Sequence, residues 1–104
     1  MLYLVSATLQ SRELTAAPRE EFREMIQKTV APSFDLLMQF QAEGKILAGG
    51  MRASSPDMVF ILDLPADSHL AVRRLLFQLP IFGHYRWEVT PLESFKECSG
   101  LLHG

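Results

Sequence analysis

Along the chain, the spacing of apolar side chains changes between that of a strand and that of a helix. The order of these changes is the sequence feature that most restricts the fold. Residues Leu2–Leu9 are rich in apolar and β-compatible side chains and predict a first strand. Residues 18–43 then repeat apolar side chains every three or four positions, which predicts an amphipathic helix. Pro32 lies inside this pattern and predicts a kink or a break near Val30–Ser33, because proline has no amide N–H to donate.

The middle of the chain returns to the period of strands. Residues 45–53 and 58–64 predict two strands, with glycines interrupting the first. Between them, Ser54-Ser55-Pro56-Asp57 has the composition of a turn, so the two strands are expected to form a hairpin.

A second helix and a fourth strand complete the pattern. Asp67 or Ser68 is the expected N-cap of the helix, and Pro80 ends it. Residues 84–92 alternate between apolar and polar side chains and predict the fourth strand. Residues 93–104 form a short C-terminal tail with weak patterning.

The resulting order, β-α-β-β-α-β, predicts an α+β fold of the ferredoxin-like sandwich type. Both helices are expected on one face of a four-stranded antiparallel sheet, with the first and third strands central. At 104 residues, the chain is predicted to be a single domain, residues 1–104. The sheet face without helices would expose apolar side chains, and a second copy would cover them, so a homodimer is expected.

Charge and composition narrow the classes of partner. The formal net charge is −2, which gives no electrostatic attraction for nucleic acid or an anionic membrane. No apolar run approaches the roughly 20 residues of a membrane span, and the N-terminus lacks the basic start of a signal peptide. A single cysteine, Cys98, is typical of a reducing compartment. A cytoplasmic location is therefore the prediction.

The fourth strand carries the residues most suggestive of chemistry. By the period of two, it divides into an apolar side and a polar side, which are Tyr85, Trp87 and Val89 against His84, Arg86, Glu88 and Thr90. A row of His, Arg and Glu would place three groups within reach of one ligand: a general base, a cation that binds an anion, and an acid. The alternative is that the row faces solvent and protects an edge strand from unwanted pairing.

Two further groups are candidates for ligand binding. Gly49 and Gly50 permit a bulge or a close approach of the backbone to a ligand, and Arg52 follows them to hold a carboxylate. The alternative is a twisted edge strand. Trp87 and its neighbour Tyr85 either line an apolar pocket for a planar molecule or pack beneath the helices.

The remaining reactive side chains predict no additional site. His69, His103 and Cys98 have no recognised metal-ligand spacing, so no metal and no other cofactor is expected. His69 is expected to be exposed in the first turn of the second helix. Cys98 lies in the tail, without the base that a nucleophilic thiol needs.

The end of the chain resembles the muconolactone δ-isomerase family. The resemblance rests on Leu79-Pro80-Ile81-Phe82 and on Trp87-Glu88-Val89 in the last strand; Glu43-Gly44 and Phe60–Asp63 are also similar. It implies a dimeric α+β barrel, often assembled into larger rings. It also implies cofactor-free isomerisation of a small lactone by proton transfer, in aromatic-compound degradation. Glu88 corresponds to the family's acid on the last strand.

A second resemblance is to the YCII-related family. It rests on Gly44-Lys45-Ile46-Leu47-Ala48-Gly49-Gly50, which precedes a turn and an apolar strand. That family shares the fold and implies small-molecule chemistry through a His–Asp pair. No histidine precedes His69 in this chain, so that pair is not carried over.

Two functions follow as hypotheses. The first is an isomerase-like protein for a small carboxylated or lactone metabolite, in which Glu88 or His84 moves the proton and Arg86 or Arg52 holds the anion. Gly49, Gly50 and Trp87 would line the ligand. The second is a non-catalytic binding or assembly module on the same fold, since a fold does not determine a function.

Overall fold

The sheet has the predicted topology. The computed structural model describes residues 1–10, 19–65 and 69–103. Its strands are β1 (Leu2–Leu9), β2 (Ile46–Met51), β3 (Met58–Asp63) and β4 (Tyr85–Leu92). They form one antiparallel sheet in the order β2-β3-β1-β4, so the first and third strands are central. The α+β, ferredoxin-like architecture is confirmed.

The helical segments are α1 (Arg19–Met25), α2 (Ala31–Ala42), α3 (His69–Phe77) and α4 (Phe95–His103). The turn Ile26–Val30 joins α1 to α2 with π-helical geometry, and the Ala31 N–H donates to the Ile26 carbonyl. Pro32 lies in the first turn of α2 and, having no amide N–H, cannot continue the hydrogen bonding of the preceding turn. The irregular turn therefore ends just before Pro32, slightly earlier than predicted.

The core lies between the helices and one face of the sheet. The inward side chains of β1 are almost fully buried, with Tyr3, Val5 and Ala7 at most 1% exposed. The buried cluster continues into β3 through Phe60 and Leu62, and into the helices through Phe40, Val72, Leu75 and Leu76. This alternation matches the period of two for a strand covered by helices on one side.

Ser33 is a polar residue inside this core, with no exposed surface. Its hydroxyl donates to the Thr29 carbonyl at 2.7 Å and accepts the Ile81 N–H at 3.1 Å. One side chain therefore connects the start of α2 to the segment after α3. The buried Ile81 N–H thereby obtains a hydrogen-bond acceptor.

The opposite face of the sheet, here called the free face, mixes apolar and polar side chains. The register places Leu4 opposite Ile61 and Thr90, and Ser6 opposite Val59 and Glu88. Leu4, Val59 and Ile61 are only partly buried. The predicted apolar surface is thus present, but Ser6, Thr8, Arg86, Glu88 and Thr90 share it.

Two local predictions are corrected. The irregularity in β2 falls between Ile46 and Ala48, so the bulge precedes the glycines that were expected to produce it. His84 does not belong to β4, because Phe82–His84 form a 3-10 turn in which the His84 N–H donates to Ile81. The residues proposed as the N-cap of α3, Asp67 and Ser68, lie outside the described residues, as does Pro18.

The weakly patterned C-terminal tail contains a further helix, α4, over Phe95–His103. The Ser94 hydroxyl accepts the Glu97 N–H at 3.1 Å, which caps the helix. No residue of α4 is buried. The radius of gyration is 15.9 Å, whereas a compact domain of this length has about 13 Å, so the molecule is elongated.

Candidate functional site

A cavity of about 380 Å³ lies between α3 and β4, and we call it the helix–strand cleft. Its lining combines three residues of the helix with three from the opposite wall, which are His69, Arg73 and Leu76 against Phe82, Trp87 and Val89. The lining therefore holds a guanidinium and an imidazole beside aromatic and aliphatic groups. None of these six side chains is a carboxylate.

The polar side of the cleft comes from α3. His69 and Arg73 are four residues apart, so both project from the same face of the helix. The ring of His69 lies 6.1 Å from the ring of Tyr3, which is 1% exposed. The Tyr3 hydroxyl is buried and has no hydrogen-bond partner within the described part of the chain. A buried hydroxyl without a partner is rare and carries a free-energy penalty.

The aromatic wall is held by a hydrogen bond. The Trp87 indole N–H donates to the Phe82 carbonyl at 2.9 Å. The two rings stack, with centroids 5.7 Å apart and planes inclined by 16°. Phe77, which is 73% exposed, meets Phe82 edge to face at 5.4 Å. A rigid aromatic surface of this kind suits a flat ligand.

A second cavity, of about 330 Å³, opens between α2 and the β2 edge of the sheet, and we call it the apolar groove. Gln41 is the one polar side chain in its lining, which otherwise consists of Phe34, Leu37, Met38, Ile46, Gly49, Gly50, Met51, Met58 and Phe60. The two glycines thus line a cavity, as the binding prediction requires. Arg52 is exposed and follows β2, and it does not line the groove.

The polar row predicted on the fourth strand divides between two places. Arg86 and Glu88 lie on the free face with both side chains 67% exposed, and the nearest nitrogen–oxygen distance between them is 3.9 Å. Trp87 points to the opposite side and lines the helix–strand cleft. His84 precedes the strand in the 3-10 turn. Trp87 is therefore separated from Arg86 and Glu88 by the sheet itself.

Tyr85 connects β4 to the turn between β2 and β3. Its hydroxyl donates to the Pro56 carbonyl at 2.8 Å. Burial, and then the nearby Asp57 carboxylate, raises the pKa of Tyr85 above its ordinary value of 10.0. Asp57 in turn accepts the Leu9 N–H at 3.0 Å, so this corner is held by side-chain hydrogen bonds.

Sequence reasoning assigned neither His69 nor Arg73 to a binding site, although both line the helix–strand cleft. His69 was expected to be exposed, and it is exposed while also lining the cleft. Tyr3, whose ring lies beside that of His69, was not considered as a site residue. The available signal was the spacing of His69 and Arg73, which places an imidazole and a guanidinium one helical turn apart. The spacing alone does not reveal the aromatic wall opposite, which follows from the packing of α3 on β4.

Within residues 1–10, 19–65 and 69–103, none of the helices combines the length and apolar character that crossing a bilayer requires. The same residues contain no cluster of three or more His, Cys, Asp or Glu side chains placed to hold a metal ion.

Comparison with known proteins reveals the fold. No protein-family model matches the sequence, and no curated protein matches it. A similar solved structure is 5-chloro-2-hydroxyhydroquinone dehydrochlorinase from Burkholderia phenoliruptrix, in complex with 2,5-dihydroxybenzoquinone. The likeness has a TM-score of 0.62 and 19% sequence identity, and it covers 92% of this chain and 97% of that chain. At this identity, the likeness shows that the two chains share a fold.

Proposed function

We propose that this chain binds a small, planar organic anion in the helix–strand cleft. The observation that carries the proposal is the pairing of Arg73 and His69 on α3 with the stacked rings of Phe82 and Trp87 opposite. A guanidinium attracts a carboxylate or phenolate, and an aromatic wall favours a flat molecule. The cavity volume of about 380 Å³ lies within the usual range for small ligands.

The similar structure supports this class of ligand. Its bound molecule, 2,5-dihydroxybenzoquinone, is flat and carries acidic hydroxyl groups. A ligand of this kind would stack on Trp87 and place an oxygen near Arg73. It would also give the buried Tyr3 hydroxyl a nearby polar group if His69 moved aside. The muconolactone class, which carries a carboxylate on a small ring, fits the same description.

The binding test uses the chain's single tryptophan, Trp87. Its indole N–H gives one side-chain signal in a ¹H–¹⁵N spectrum, and 2,5-dihydroxybenzoquinone should shift that signal saturably. The variant Arg73→Gln should weaken binding about tenfold to a hundredfold, the effect of losing a charged hydrogen bond. Arg74→Gln is the matched control, because Arg74 is the next residue and does not line the cleft. Equal affinities for the two variants would refute the placement of the anion.

Catalysis in the cleft would be a proton transfer by His69. An imidazole is suited to give and take a proton near neutral pH, and this chemistry needs no cofactor. Incubation with muconolactone in D₂O, followed by proton NMR, measures exchange and isomerisation directly. His69→Gln should abolish the exchange, whereas the ligand at saturating concentration should still shift the Trp87 signal, because Arg73 and the aromatic wall remain. Binding without exchange by the natural chain would instead favour a non-catalytic binding module.

A second candidate is an isomerase site on the free face. There Glu88 would move the proton and Arg86 would hold the anion, as the resemblance to muconolactone δ-isomerase implies. The favouring observation is that the register places Glu88 opposite Ser6 and Arg86 opposite Thr8, on the same face as the partly buried Leu4, a surface that a homodimer would enclose. In the same NMR assay, exchange lost in Glu88→Gln but kept in His69→Gln would select this site. Light scattering would measure the dimer or larger ring independently.

A further inference from the structure

The two tyrosines of the chain treat their hydroxyl groups differently. Tyr3 is 1% exposed, and its hydroxyl has no hydrogen-bond partner among the residues that the structure describes. The hydroxyl of Tyr85 donates to the Pro56 carbonyl at 2.8 Å. Burying a hydroxyl without a partner costs free energy, so native proteins rarely keep one. A group that binds from outside would explain why this one is kept.

Tyr3 lies next to the helix–strand cleft on the covered face of the sheet. It shares that face with Val5, which pairs with the cleft residue Val89 on β4. Tyr3 and Val89 are therefore diagonal neighbours, about 7–8 Å apart, a separation within reach of an aromatic side chain. Side chains stand roughly perpendicular to a sheet, so the hydroxyl at the tip of Tyr3 lies toward the layer of α3.

His69 both lines the cleft and lies beside Tyr3. Its ring is 6.1 Å from that of Tyr3, with the two planes inclined by 59°. The His69 side chain is exposed, and exposed side chains change rotamer within nanoseconds. A rotation of the imidazole away from Tyr3 would therefore open a path from the cleft without movement of the backbone.

We propose that the Tyr3 hydroxyl is a second polar contact for the ligand of the helix–strand cleft, made when His69 rotates away. The inference rests on the proposed ligand site. Arg73 belongs to α3 and Tyr3 to β1, so the two contacts come from the helix side and the sheet side. The guanidinium binds an anionic oxygen, and the hydroxyl donates to a carbonyl oxygen beside it. The ligand class is therefore an aromatic anion with a carbonyl on the adjacent carbon, as in an aromatic 2-oxo acid.

The two contacts have different consequences for specificity. Arg73 attracts any aromatic carboxylate through its charge, whereas Tyr3 favours only a ligand that brings an acceptor to its hydroxyl. A site that hydrogen-bonds one group of a ligand disfavours the analogue without that group, because the polar atom of the protein then stays unpaired. Tyr3 is thus a specificity-determining residue of the cleft.

Two ligands that differ in one group test this contact. Benzoylformate and phenylacetate share a ring and a carboxylate, but the first has a carbonyl where the second has a methylene. Titrations followed by the Trp87 indole N–H signal should show that the natural chain binds benzoylformate about fivefold more tightly. Tyr3→Phe should bring the two affinities within about twofold of each other. Tyr85→Phe is the matched control and should keep the preference, because Tyr85 does not line the cleft.

Urea unfolding without ligand gives a second readout. Tyr3→Phe should keep or raise the midpoint, because it removes an unpaired buried hydroxyl, whereas Tyr85→Phe should lower it. Equal losses in both variants would overturn the inference, because the Tyr3 hydroxyl would then already be paired in the free protein, for example with an ordered water. Equal affinities of the natural chain for the two ligands, or a preference that survives Tyr3→Phe, would overturn this inference alone. No saturable Trp87 shift by either ligand would overturn the proposed function with it.

Discussion

Two adjacent glycines in β2, Gly49 and Gly50, differ in the space that they leave for an added methyl group. A Cβ added at Gly49 would overlap Phe60 Cβ, and it would lie 2.6 Å from both Phe60 Cα and the Val59 carbonyl oxygen. A Cβ added at Gly50 would meet no heavy atom within 4 Å. Gly49→Ala and Gly50→Ala therefore make the same chemical change at neighbouring positions, with and without a steric conflict.

The expected difference between the two variants is large. The atoms that oppose a Cβ at position 49 belong to the backbone of β3 or are fixed to it, so no side-chain rotation relieves the overlap. We expect Gly49→Ala to lower the free energy of unfolding by about 3 kcal/mol, the upper end of the usual range for overpacking. Gly50→Ala should raise it by about 0.5 kcal/mol, because alanine loses less backbone entropy in a strand.

Urea unfolding followed by Trp87 fluorescence measures both values. With a slope of about 1–3 kcal/mol per molar, a loss of 3 kcal/mol moves the midpoint by at least about 1 M. In thermal unfolding, the same loss lowers the melting temperature by roughly 12–24 °C for a domain of this size. Equal midpoints for the two variants would refute the reasoning, because the close approach of β2 to Phe60 would then be absent in solution.

Three other predictions concern single side chains. Ser33→Ala should lower the free energy of unfolding by about 1–3 kcal/mol, because the buried Ile81 N–H loses its acceptor, whereas the exposed Ser99→Ala should change it by less than about 0.5 kcal/mol in the same urea assay. Burial and Asp57 raise the pKa of Tyr85, so this side chain ionises at a lower pH in the unfolded chain than in the folded one. Its contribution to the free energy of unfolding should therefore be constant below about pH 10 and fall as pH rises through the raised pKa. Urea midpoints should fall less steeply with pH in Tyr85→Phe. Burial and the hydrogen bond to Glu93 raise the pKa of the Cys98 thiol, so its alkylation by iodoacetamide at pH 8 should be slower than that of free cysteine and faster in Glu93→Gln.

The strand pattern was readable from the sequence because each strand has a covered face. β1 followed from its richness in apolar, β-compatible residues, the hairpin strands from the turn at Ser54–Asp57, and β4 from alternation. Helix α4 was missed because none of its residues is buried and Gly100 interrupts it. Ser94-Phe95-Lys96-Glu97 has the spacing of a capping box, and this was the available signal.

The candidate site was less accessible to sequence reasoning. The period of two correctly separated Trp87 from Arg86 and Glu88, but periodicity does not say which side of a strand borders a cavity. His84 does not lie in the row of Arg86 and Glu88, because the residues before β4 form a 3-10 turn. His69 and Arg73 meet Trp87 only through the packing of α3 on β4, a contact between segments distant in sequence. Residue type and spacing do not determine such contacts.

The π turn at Ile26–Val30 has a consequence for how this helix tolerates changes in length. Such a turn holds one residue more than an α-helical turn, so α1 and α2 are out of phase by about 100°. Phe34 and Phe40, which pack in the core, follow it, and Val30 at its end also packs against the core, while Ile26 is 37% exposed. Loss of one residue here would rotate only α1 and leave the core contacts of α2 in register. The turn is thus a point at which evolution can insert or delete a residue at small structural expense.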